Sequence, residues 1–137
     1  EQWYQQFRMW TQIPDQHITK FTATCKVLPH PDAAILISTY NMITFSGRRG
    51  HEAEVIMENI SQREWGLLLM DEVHVVPANT FQRCTTRIRS RCKLGLTATL
   101  VREDGAIEDL NFLIGPKLYE ANWLDLQERG FIARVQC

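Results

Sequence analysis

Asp71, Glu72 and His74 follow directly on the apolar run Gly66-Leu-Leu-Leu-Met70. Leu67 to Met70 lack period-two alternation, which is expected of a strand covered on both faces within a parallel sheet. In open α/β sheets ligands bind beyond the carboxyl ends of such strands. An aspartate at that point suits a hydrated Mg²⁺, an ion that needs one or two protein carboxylates beside phosphate oxygens. The adjacent glutamate is then placed to orient or deprotonate an attacking water. A bare Asp-Glu pair also ends ordinary strands ahead of a turn, here before Pro77, so the apolar run and His74 lend the box its weight.

A second apolar run, Lys93-Leu-Gly-Leu-Thr-Ala-Thr99, also ends in hydroxyl residues. Threonine is a favoured strand residue, so Thr97-Ala98-Thr99 alone says little. Paired with the acidic box at this spacing it becomes specific. The expectation is that the two strand tips are neighbours and converge on a shared cleft.

The elements needed to hold such tips alternate along the chain, as in a doubly wound α/β domain. Trp3, Phe7 and Trp10 fall at i, i+4 and i+7 on one face of an opening helix, and Pro14 and Asp15 break it. Ile18 to Thr22 reads as a short strand, and Ala34-Ile-Leu-Ile-Ser-Thr-Tyr40 as a second buried one. The segments Cys25 to Ala34 and Thr44 to Glu52 read as loops. Ser46-Gly-Arg-Arg-Gly50 leads into a helix with Ala53, Ile56 and Ile60 inward, and Pro77 fits the first turn of a helix carrying Phe81, Cys84 and Ile88. Cys92 is expected on the same buried stripe as Cys84. Further on come a helix with Ile107, Leu110 and Ile114, a stop at Gly115-Pro116, and a last helix capped by Asn122 and ended by Gly130.

Composition bounds the function classes. The 137 residues allow one domain, and a hydrophobic fraction of 45% is ordinary for a globular core. A net charge of −1 offers no global attraction to nucleic acid, but no acidic residue lies between Glu72 and Glu103, where Arg83, Arg87, Arg89, Arg91, Lys93 and Arg102 fall. Such a set suits phosphates; a solvated helix face is the commoner origin of such a pattern. The four cysteines show no C-x-x-C pairing and no metal-ligand spacing with histidines, and reduced thiols point to cytosol or nucleus. No apolar stretch is long enough to span a bilayer.

Asp71-Glu-Val-His74 resembles the Walker B box of the superfamily-two helicases, and Thr97-Ala-Thr99 resembles their third motif. With Arg102-Glu103-Asp104 just downstream, the chain is similar over nearly its whole length to the xeroderma pigmentosum group B family, DNA translocases of general transcription factor IIH. The resemblance implies a RecA-like doubly wound parallel sheet, with residues 1–137 forming part of the first motor lobe. It implies ATP and Mg²⁺ as cofactors, with Asp71 holding Mg²⁺ through water, Glu72 activating the attacking water, and His74 passing the nucleotide state to Thr97. Ala98 and Thr99 complete the coupling motif. Ser38-Thr39-Tyr40 look like motif Ib, which touches the DNA backbone, and Arg102-Glu103-Asp104 are implied in DNA unwinding. Gln2 and Trp3 resemble the tail of motif Ia, with the tryptophan expected in the core. The implied partners are double-stranded DNA and other subunits of transcription factor IIH, in the nucleus, for promoter opening and nucleotide excision repair.

No Gly-x-x-x-x-Gly-Lys-[Ser/Thr] phosphate loop occurs in the chain. The family carries that loop upstream and a second motor lobe downstream, so the chain by itself is expected neither to hydrolyse ATP nor to move on DNA. Loss of the loop's strand is further expected to leave an exposed edge beside the Thr-Ala-Thr strand. Two other classes compete: a non-catalytic DNA-binding or assembly module, and a metal hydrolase with Asp71 and His74 as ligands. The second needs another convergent ligand, and His17, His30 and His51 fall in expected loops.

Overall fold

The computed structural model describes residues 1–98 and 112–133. Helix α1, Gln2–Trp10, is followed by a 3-10 turn at Asp15–His17 and strand β1, Ile18–Phe21. β1 pairs in parallel with β2, Ile35–Ser38, Phe21 lying opposite Ser38. Helices α2, Tyr40–Thr44, and α3, His51–Gln62, precede β3, Trp65–Met70. Helix α4, Ala78–Arg87, carries the chain back to β4, Ser90–Gly95, which runs parallel to β3 with Met70 opposite Gly95. Helix α5, Trp123–Glu128, is the last of the described elements.

Local chemistry accounts for these elements. In α3, Ala53, Ile56, Met57 and Ile60 repeat at helical spacing and are all buried, while Glu52 and Glu54 sit in the first turn, where carboxylates complement the helix dipole. In α5 the Asn122 side chain accepts from the Leu124 N–H at 2.9 Å. At the other end of α5, Gly130 takes a φ of 76°. Its N–H donates to the Gln127 carbonyl and the Phe131 N–H to the Leu126 carbonyl, the paired bonds of a Schellman ending.

The core has two connected parts. The larger gathers Phe21, Ile56, Ile60, Cys84 and Ile88, with Leu36, Trp65 and Leu68 packed on it, so both strand pairs contribute. The smaller, beneath the acidic tip, holds Met70, Val73, Val76 and Phe81, with Leu113 and Ile114 against them. Tyr40 and Leu68 touch both parts.

Several expectations change. The described strands form two parallel pairs, β1-β2 and β3-β4, not one continuous sheet. Leu36 of β2 and Leu68 of β3 pack on the same core cluster. β3 is covered on one face: Met70 is buried and Leu68 half-buried, whereas Leu67 and Leu69 remain 52% and 37% exposed. No residue of α1 is buried; polar contacts hold it, including Lys20–Glu1 and Arg8–Asp15 ion pairs, each at 2.9 Å. Cys92 does not continue the helical stripe of Cys84, because α4 ends at Arg87 and Cys92 lies exposed on β4. Tyr40–Thr44 is helical, where a strand end and a loop were expected. Ile107 and Leu110 lie outside the described residues. No helix among the described residues is long and apolar enough to cross a membrane.

Candidate active site

The acidic box sits on a pinched strand end. The Leu96 N–H donates to the Met70 carbonyl at 2.8 Å, and the Val73 N–H donates back to the Leu96 carbonyl at 3.1 Å. One residue on the β4 side thus bridges two positions on the β3 side, and Asp71 and Glu72 between them loop out as in a bulge. Glu72 carries the strain, with a φ of 52°, the single non-glycine residue of positive φ among those described. Left-handed backbone costs an L-residue roughly 1–2 kcal/mol, and such outliers gather at functional sites. The Val75 N–H closes the turn onto the Glu72 carbonyl at 3.1 Å.

Three donors hold Asp71. Its own neighbour's N–H, from Glu72, donates to Oδ1 at 3.0 Å. The Trp3 indole Nε1–H donates to Oδ2 at 2.8 Å. The Tyr40 hydroxyl donates to the Asp71 main-chain carbonyl at 2.8 Å, and burial pushes the Tyr40 phenol well above its usual ionisation range, so it remains a donor. Trp3 is half-buried, not a core residue, and lines an open groove of about 590 Å³ with Phe7, Trp10 and Asp71.

Glu72, His74 and Thr97 form a second linked set. His74 Nδ1 lies 2.7 Å from Thr97 Oγ1 and 3.3 Å from Glu72 Oε2. A single ring nitrogen therefore faces both the carboxylate and the hydroxyl. Thr97 stands just beyond β4, and Ala98 beside it is exposed. Thr99, Arg102, Glu103 and Asp104 lie outside the described residues. The two tips do converge, through the strand register and the His74–Thr97 contact.

The motif Ib candidates divide. The Ser38 hydroxyl donates to the Phe21 carbonyl at 2.7 Å, and the Thr39 hydroxyl caps α2 by accepting from the Met42 N–H at 3.3 Å. Tyr40 is turned to Asp71. Of the cationic set, Arg87 donates to the carbonyls of Ile43 and Phe45, both at 2.8 Å, closing the C-terminal end of α2, and Arg91 pairs with Glu64 at 3.0 Å. Arg83, Arg89 and Lys93 are exposed. The indole and phenol contacts to Asp71 were not legible beforehand; both residues stood out, but only as core and as DNA contact.

The donor set fits Mg²⁺. An ionised carboxylate has about four acceptor directions, and two hydrogen bonds leave Asp71 room for a hydrated cation. No group of three or more His, Cys, Asp or Glu converges among the described residues, as an all-protein cage would require. A hydrolytic centre with Asp71 and His74 as ligands needs a third convergent ligand, and none joins them among the described residues.

Comparison with known proteins agrees with this geometry. Over the full chain the sequence is 60% identical to the general transcription and DNA repair factor IIH helicase/translocase subunit XPB2 of Arabidopsis thaliana, covering 18% of that protein. It is 57% identical to the XPB subunit of Dictyostelium discoideum and 56% to that of Drosophila melanogaster, covering 17% of each. The chain thus spans under a fifth of the length of these curated relatives. Residues 1–102 match the family described as type III restriction enzyme, res subunit. With parallel strands, intervening helices and an acidic box at a strand tip, this chain is a RecA-like helicase-lobe segment and belongs to that family.

Proposed function

We propose that the chain is part of the first motor lobe of an ATP-driven DNA translocase acting in transcription initiation and nucleotide excision repair. The observation that carries this reading is the link from Glu72 through His74 Nδ1 to Thr97 Oγ1, which ties the acidic tip to the hydroxyl tip. The relatives are named as helicase/translocase subunits of transcription factor IIH, which supports the same assembly partners and a nuclear setting.

In this reading ATP binds at the β3-β4 tips, between this lobe and a second one. Asp71 holds Mg²⁺, which when bound neutralises charge on the phosphate oxygens. Glu72, projected by its bulge, takes the proton of the attacking water. His74 passes the nucleotide state to Thr97 through its hydrogen bond, and Thr97 with Ala98 and Thr99 passes that state to the lobe's movement. Thr39, exposed at the start of α2, and Arg102-Glu103-Asp104 meet double-stranded DNA.

Glu72→Gln in the full-length protein tests the chemistry. Steady-state ATP turnover should fall by about 10²-fold or more, the contribution of a general base, while ATP binding is retained. Wild-type turnover in that variant would overturn the assignment.

A further inference from the structure

Asp71 is gripped from two distant parts of the chain. Glu72 N–H and Trp3 Nε1–H donate to different oxygens of its carboxylate, at 3.0 and 2.8 Å, which sets the plane of the group. The Tyr40 hydroxyl fixes the main chain of the same residue at 2.8 Å. Core packing does not explain Trp3. It is half-buried, the helix bearing it buries no residue, and its ring meets Phe7 at a centroid distance of 5.9 Å. What its indole has that a phenyl ring lacks is the N–H aimed at Oδ2.

We propose that Trp3 and Tyr40 are positioning residues that present the Asp71 carboxylate to the nucleotide's divalent cation. This rests on the reading above, in which Asp71 holds that cation. Donors bonded to a metal-binding carboxylate fix its orientation, and removing them typically weakens metal affinity by about 10–100-fold. Trp3 acts on the oxygen itself and Tyr40 on the backbone behind it. Because one comes from α1 and the other from the start of α2, the cation site depends on both segments being docked against the β3 tip.

The test uses the full-length protein, a non-hydrolysable ATP analogue and Mn²⁺ as the probe, with free Mn²⁺ followed by electron paramagnetic resonance. Trp3→Phe should weaken Mn²⁺ binding by about 10-fold or more at an unchanged melting temperature. A merely structural role would lower the melting temperature and leave the affinity of the folded fraction intact. If Trp3→Phe does not fold, Tyr40→Phe, which keeps the ring and loses one hydroxyl, decides by the same criterion. Asp71→Asn runs alongside. If it abolishes Mn²⁺ binding while the folded positioning variant binds as wild type, the inference fails and the cation role of Asp71 stands. If Asp71→Asn also binds as wild type, that role falls, and the positioning inference with it.

Discussion

At the scale of single residues, Glu72 concentrates the tension between folding and chemistry. Its φ of 52° is tolerated because Leu96 pinches the chain on either side of it. Asparagine accepts the left-handed region far more readily than glutamate. Glu72→Asn should therefore raise unfolding free energy by about 0.5–1 kcal/mol in denaturant titration while losing ATP turnover. A drop in stability would mean that the carboxylate's contact with His74 outweighs the strain. Cys84 gives a second prediction. Burial pushes its thiol up to about 11, above the ordinary value near 9 that the unfolded chain has. The neutral thiol's contribution is fully present below about pH 9 and is lost as pH rises toward 11, because the unfolded chain gives up its proton first. Stability measured from pH 8 to 11 should fall more steeply in the wild type than in Cys84→Ala. In native alkylation followed by peptide mapping, exposed Cys92 should react well before buried Cys84.

Among the elements, α4 is tied to the C-terminal end of α2 by a charged side chain. Arg87 satisfies the carbonyls of Ile43 and Phe45, and Arg49 reaches the same two at 3.3 and 3.0 Å. Arg87→Met keeps the aliphatic stem, removes the two shorter bonds and leaves each carbonyl with Arg49 as its remaining donor. It should cost about 2 kcal/mol in chemical denaturation, the range for charge-assisted hydrogen bonds. Salt dependence of DNA binding should not change with it, since this guanidinium is occupied inside the fold; a shallower salt slope would show that it meets phosphates instead. β4 has its own constraint at Gly95. A Cβ there would come within 2.6 Å of Ile114 Cδ1 and 3.2 Å of Val73 Cγ1. Ile114 can swing away more easily than Val73, which is pinned in the ladder, so Gly95→Ala should destabilise by about 1–2 kcal/mol and disturb the acidic tip directly behind it.

For the molecule as a whole, the contrast is between interactions that close within a few residues and those that span the chain. The helix of Ala53, Ile56 and Ile60, the Asn122 cap, the Gly130 ending and the placing of Asp71, Glu72, His74 and Thr97 at strand ends were legible in the sequence, because periodicity, capping and residue type act locally. The two-strand convergence was also legible, since a βαβ connection brings its parallel strands side by side. What the linear order left open was decided by distance in sequence: Trp3 reaches Asp71 across 68 positions and Tyr40 across 31. No local rule tells an indole or phenol which carbonyl or carboxylate it will meet. The sidedness of β3 and the division of the strands into two pairs were likewise settled in three dimensions. An apolar run specifies that a segment seeks cover, but the layers that fold against it determine which face receives it.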